Sequence, residues 1–404
     1  MLIILDVFEI QLIPPHHSNA DLQMGIAAKI SYRRQFLINL VSFYYYYLRS
    51  HCFHRKVKKK ETDGFVFFNI QSKVSERHFA YLLYCFNVCN VPIKLRNNGH
   101  FIGNLNSYCK QIATLTNLKI VDKNPNPLNC LLLISDVPDP IVNLSYPKVV
   151  QLDLLLLKNG EFRNSHEIMP FFMIPRMYFS GIYKQAELLR ANEKRKMRVF
   201  FSGNLNPKQY NNQKLKTLFN KLTRIEIINV LKKELASRDI TTLDDVGKLE
   251  LTNYVNKVVL SVWARKSIKQ TYINGRIENY DWLRVLSFVD FFMACPGFIQ
   301  PMCHNVIEAM SVGAIPILEH PEFFNPPLEH GVNSIVFSGE QDLVFKTKEL
   351  LTLEYELIKK MRKNVLDYYN NFLAPEAVVK NILKGKKTDM CLIESASFVD
   401  MEMY

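Results

Sequence analysis

The chain has no Cys-x-x-C pair and no cysteine–histidine spacing suited to zinc, although it carries eight cysteines and ten histidines. That argues against a structural zinc site. No D-x-D triad is present either, since the nearest sequence, DVPDP at 136–140, has the wrong spacing. Neither a metal nor any other cofactor is expected. Long apolar runs are also missing. The nearest approach is Gln35 to Leu48, QFLINLVSFYYYYL, well short of the roughly 20 residues that a helical membrane span requires. MLIIL at the start is too short for a secretory signal, with Asp6 and Glu9 following at once. Cys85 and Cys89 lie in an apolar run, where a reduced thiol behaves as a small core residue. A cytoplasmic setting is expected. There is no solenoid-type repeat, no low-complexity tract beyond Tyr44–Tyr47, and no aromatic-basic RNA-binding signature. Nucleic acid is not an expected partner.

What is present is a 404-residue chain with 48% hydrophobic and 22% charged residues, the balance of a folded globular protein. That length exceeds what one hydrophobic core usually organises, so two domains are expected. The formal net charge of +13 favours anionic partners in general and chooses none of them. Positive charge is concentrated early: Arg33, Arg34 and Arg49 flank the aromatic run, and RSHCFHRKVKKK follows from Arg49 to Lys60. Two readings stand. Residues 33–60 touch an anionic membrane surface, the protein being peripheral to the membrane. Alternatively, a helix packs on the first domain and trails a solvated basic tail.

After this basic, aromatic-rich leader at 1–60, apolar β-rich runs alternate with helical stretches. FVFFNI (65–70), VPIKLRN (91–97), LKIVDK (118–123), CLLLIS (130–135) and VVQLDLLLL (149–157) read as strands. Helices are expected over Ser75 to Asn87 and from Phe101 to Leu115. A second series follows the basic stretch at 190–198, with strands VFFSG (199–203), KVVLSVWA (257–264) and FFMA (291–294). Its helices are expected from Lys214 and over Tyr280 to Ser287. LEYELIKKMRKNVLDYYNNFL (353–373) has a long amphipathic helix pattern, interrupted near Pro375. Such alternation argues for βαβ units and parallel sheets. The expected fold is α/β, with two Rossmann-like domains at 61–180 and 181–372 and a crossing helix and tail at 373–404.

The most informative stretch runs from Asp290 to Phe337: an apolar strand, a Pro-Gly turn, a loop, a short helix from Asn305 to Gly313, and the buried strand AIPIL. A helix N-terminus beside parallel strands suits a phosphorylated ligand, because its N–H groups point outward and its dipole favours negative charge. The segment PGFIQPMCHNVIEAMSVGAIPIL resembles the donor-binding region of GT-B glycosyltransferases, most closely exostosin-like and bacterial-type sugar transferases. The resemblance implies a nucleotide-sugar donor held by the second domain and a glycan or lipid-linked acceptor held by the first. It departs from the retaining pattern at one place: eight positions before Glu308 stands Gln300, not a glutamate. Stereochemistry is left open.

By that resemblance Glu308 would accept hydrogen bonds from ribose hydroxyls. Its alternative is a capping box with Asn305, given the N-x-x-E spacing. His304 and Asn305 precede the helix where donors could reach a diphosphate; as plainer readings, Asn305 is an N-cap and His304 an exposed loop residue. Cys303 is read as packing. Pro296 and Gly297 end a strand, with Gly297 serving backbone approach to a ligand, turn geometry, or both together. Ser202, Gly203 and Asn204 end the first strand of the second series. Arg265 and Lys266 close KVVLSVWA, and one of them is expected on a phosphate. For a general base, Asp136 and His100 stand at strand ends of the first domain. Two competing functions share these residues: a nucleotide-sugar epimerase, and a non-catalytic polyanion-binding protein of the same fold.

Overall fold

The computed structural model describes residues 26–53, 64–71, 76–137, 145–153, 166–193, 195–211, 213–243, 253–263, 277–298, 300–385 and 388–391. Two parallel sheets organise them. The first comprises β1 (Phe65–Asn69), β2 (Ile93–Arg96), β3 (Leu118–Val121), β4 (Cys130–Ser135), β5 (Val149–Asp153) and β6 (His166–Ile168). Its order is β3-β2-β1-β4-β5-β13-β6, where β13 (Thr388–Cys391) returns from the end of the chain. The second holds β7 (Met197–Asn204), β8 (Ile240–Thr242), β9 (Tyr254–Trp263), β10 (Val289–Met293), β11 (Ile315–Leu318) and β12 (Ile335–Val336). Its order is β12-β11-β10-β7-β9-β8.

The α/β architecture with two Rossmann-like parallel sheets is the one the sequence pattern implies. Every residue of β1, β10 and β11 is buried, as strands covered by helices on both faces should be. In each sheet the strand order reverses beside the first strand, between β1 and β4 and between β7 and β10. A crevice opens at the carboxyl end of such a switch point, because the crossovers leave it in opposite directions.

Helices complete the layers. In the first half they are α1 (Ile26–Phe53), α2 (Glu76–Val88), α3 (Gly99–Gly103), α4 (Cys109–Ala113), α5 (Pro175–Phe179) and α6 (Gln185–Leu189). The second half has α7 (Pro207–Tyr210), α8 (Lys214–Phe219), α9 (Arg224–Glu234), α10 (Asn279–Leu286) and α11 (His304–Ser311). After it come α12 (Gly339–Thr352), α13 (Tyr355–Tyr368) and α14 (Pro375–Lys384).

One helix departs from expectation. The helix expected over Phe101 to Leu115 is broken into α3, a 3-10 turn at Asn106–Tyr108 and α4. Asn106 takes a positive φ of 47°, which no continuous right-handed helix contains. The leader contains α1, which packs on α3 and α4, as the second reading of residues 33–60 has it. α13 ends in a π-turn at Tyr369–Leu373, and Pro375 then starts α14. From there the chain goes back to the first sheet. Tyr81 of α2 donates to Leu373 O at 3.2 Å, Lys148 donates to Leu383 O at 2.8 Å, and β13 inserts between β5 and β6.

Candidate functional site

The carboxyl edge of the second sheet gathers most of the expected residues. β7 and β10 are paired, so Ser202, Gly203 and Asn204 lie next to Pro296 and Gly297. α11 begins beyond them at His304, one residue earlier than its pattern suggested. Its N-cap is Cys303, whose side chain makes no capping hydrogen bond. The Asn305–Glu308 capping box is therefore absent. Asn305 instead accepts from Cys303 Sγ at 2.7 Å and donates to Ser202 O at 3.5 Å, tying α11 to β7.

Glu308 lies on the buried face of α11 at 4% exposure. Its Oε1 accepts from the Ile174 N–H at 3.0 Å and its Oε2 from the Trp282 indole N–H at 2.6 Å. Burial raises its pKa, while these two donors pull the other way. Glu308 is thus a buried carboxylate each of whose oxygens has one protein donor. The sequence pattern missed this because Ile174 and Trp282 are distant in the chain.

His304 is not the exposed loop residue of the plainer reading. Its ring stacks on Phe171 at a centroid distance of 5.0 Å, and Nδ1 donates to Phe172 O at 2.8 Å. Burial holds its pKa down at about 4, so the ring is neutral near pH 7. Phe172 also meets His78 of α2 edge-on at 4.9 Å. Residues 171–174 therefore form a seam between the two halves, and His304 and Glu308 are both fastened to it.

The residue that sequence reading missed is Arg224, the first of α9. It is 4% exposed. Nε and Nη2 donate to Pro296 O at 3.1 and 2.9 Å, and Nη1 donates to Asn204 O at 3.3 Å. Tyr210 covers its guanidinium, with Cζ 3.9 Å from the ring centroid. Among the described residues its partners are carbonyl oxygens, a thiol and a ring. A cation so placed leaves net positive charge at the β7–β10 crevice, where backbone N–H groups of α11 also point. The signal available beforehand was T-R-I-E at 223–226, a capping box that starts a helix with an arginine directly after the cap.

Gly297 serves its own loop. A Cβ there would stand 2.8 Å from Met302 O and 3.1 Å from Gln300 O, and its N–H donates to Gln300 O at 3.0 Å. Turn geometry alone requires a glycine here. Gln300 adds one oddity: its side-chain oxygen is buried without a hydrogen-bond partner. A buried acceptor left unpaired costs about 1–3 kcal/mol.

Asp136 follows β4 and accepts the Gln71 N–H at 2.8 Å, bridging the ends of β1 and β4 at the first sheet's own switch point. His100 is exposed on α3, just beyond β2. Arg265 and Lys266 lie outside the described residues. Among the described residues, no group of three His, Cys, Asp or Glu side chains could hold a metal ion, and no helix is long and apolar enough to cross a membrane.

No family model matches the chain, and no curated protein matches it in sequence. Solved structures similar to it include HepE of Anabaena in complex with UDP, at 13% identity and a TM-score of 0.39, covering 79% of this chain and 98% of that one. CalG4, the calicheamicin glycosyltransferase, is similar at 9% identity and 0.36, covering 80% and 97%. The N-terminal domain of Candida albicans trehalose-6-phosphate phosphatase has 9% identity and 0.31, covering 83% and 74%. Likenesses this loose transfer no residue roles.

Proposed function

We propose that the protein is a glycosyltransferase that moves a sugar from a nucleotide-sugar donor to a glycan or lipid-linked acceptor. The observation that carries the proposal is the buried Arg224 guanidinium at the β7–β10 switch point, beside the N-terminus of α11. Both features favour a diphosphate. Sugar transfer builds negative charge on the leaving phosphate, and positive charge fixed there stabilises the transition state more than the ground state. Arg265 or Lys266 would add a direct phosphate contact.

Glu308 holds Trp282 and the 172–174 seam in position. The unpaired Gln300 oxygen would accept a hydroxyl of the donor. Asp136 or His100 would take the acceptor hydroxyl proton, both standing at the carboxyl edge of the acceptor sheet. No step requires a metal. The protein would work in the cytoplasm, peripheral to a membrane that carries the acceptor.

A thermal-shift screen over UDP, GDP, CMP and their sugars tests the donor site, because a ligand that binds only the folded form raises the melting temperature. At least one nucleotide should stabilise the wild type and fail to stabilise Arg224→Lys. Labelled sugar should then appear on a second molecule. Label that stays on a free or nucleotide-bound isomer would make the protein an epimerase, and no stabilisation by any nucleotide would remove the donor site altogether.

A further inference from the structure

We infer that α1 is a membrane-docking helix whose outward face seats on an anionic lipid surface. Ile30, Leu37, Val41 and Leu48 recur at helical spacing along one line of α1, with Ile38 and Tyr45 in the adjoining row. These six side chains are between 44% and 62% exposed. Single exposed apolar residues need no explanation, but a row from Leu37 to Leu48, parted from Ile30 only by Arg34, does.

The opposite face of α1 is fixed to the first half of the molecule. Asn39 and Phe43 are buried. Tyr32 donates to Asn104 Oδ1 at 2.7 Å, Asn39 donates to Gly103 O at 2.9 Å, and the Tyr47 hydroxyl accepts from Ile120 N at 3.1 Å. Phe36 presses so closely on Gly103 that a Cβ there would stand 2.3 Å from its ring. The stripe is therefore held outward by packing on the other side, and α1 cannot roll to hide it.

Charge selects the occupant. Between Lys29 and Lys60 the sequence has nine Lys and Arg and no Asp or Glu. Arg33, Arg34 and Arg49 are exposed on α1 itself. An apolar stripe edged by cations complements lipid headgroups of negative charge over an acyl layer. It repels a second copy of itself, whose matching face carries the same cations. The helix also sits where docking would matter: Tyr44 bonds to the Asn97 side chain just past β2, and the Phe36 ring lies 6.5 Å from that of His100. Seating α1 on a bilayer brings the carboxyl edge of the first sheet to the membrane.

This inference rests on the lipid-facing reading of residues 33–60 and not on sugar transfer, so vesicle binding and nucleotide binding fail separately. The full chain should float with vesicles containing phosphatidylglycerol and stay behind with pure phosphatidylcholine. Leu37→Asp with Val41→Asp should cut the floated fraction by about tenfold, since burial of the stripe supplies much of the affinity. Arg33→Glu with Arg34→Glu should also lower it, and both variants should melt as the wild type does. The inference is overturned if the wild type ignores phosphatidylglycerol or if the Leu37/Val41 variant floats undiminished. It is equally overturned if light scattering shows a wild-type dimer that this variant turns into a monomer.

Discussion

Trp282 donates its indole N–H to Glu308 at 2.6 Å, and this bond joins α10 to α11 beneath the seam. The same carboxylate receives Ile174 from the chain between the sheets, so three separate segments meet on one buried acid. Taking away one donor leaves a buried charge half-satisfied, at a cost of about 1–3 kcal/mol. Trp282→Phe should therefore lower the melting temperature by several degrees in calorimetry. Glu308→Ala should also speed amide exchange at Ile174. Unchanged protection of that amide would mean that the seam is held by the phenylalanines alone.

Arg224→Lys tests the crevice. A lysine keeps the charge but cannot donate to Pro296 O from two nitrogens while reaching Asn204 O. Two strand-end carbonyls then lose donors, and the β7–β10 crevice loses its shape. Stabilisation by nucleotides in the thermal-shift assay should vanish, with far-ultraviolet circular dichroism preserved. Retained stabilisation would assign the diphosphate to another cation.

Local pattern made much of the molecule legible. FVFF and CLLLIS read as strands and are strands, and the run from Asp290 to Leu318 gave strand, loop, helix and strand in order. β6, β8, β12 and β13 were not readable, being two to four residues long and held only by neighbours in the sheet. The site divided in the same way. The positions of Asn204, Pro296 and Asn305 were legible because strand ends and a helix start mark them in sequence. Arg224 was missed, as were the donors to Glu308, because the environments of these two residues come from Pro296 and Ile174, far away along the chain.

Two buried histidines, His78 and His320, and the half-buried His304 make stability depend on pH. Burial lowers the pKa of His78 and His320 to about 3 and that of His304 to about 4. The unfolded chain therefore binds more protons than the folded one below the ordinary histidine value near 6.5, and stability falls as pH drops toward 4. Between pH 7.5 and 5 the loss is about 2 kcal/mol each for His78 and His320. Glu308 acts in the opposite sense, because its raised pKa favours the folded form as it becomes protonated. Asp290, whose pKa burial also raises, acts with Glu308, while His330, lowered by burial, joins the three other histidines. Calorimetry across that range should show a falling midpoint, flattened in His78→Phe; a midpoint independent of pH would mean that the rings are solvated.

Gly297 and Gly331 separate close approach from backbone conformation. At Gly297 an added Cβ meets the Met302 carbonyl at 2.8 Å, a backbone atom that cannot swing aside. At Gly331 nothing lies within 4 Å, and the only difficulty is its φ of 74°. Gly331→Ala should therefore cost about 1–2 kcal/mol, the penalty of the left-handed region, and leave nucleotide stabilisation intact. Gly297→Ala must displace the loop that carries Gln300 and leads to Cys303. It should lose nucleotide stabilisation even if its melting temperature falls no further than that of Gly331→Ala. Measured side by side, the two variants distinguish damage to the crevice from general destabilisation, and equal behaviour in the ligand assay would detach the 297–303 loop from binding.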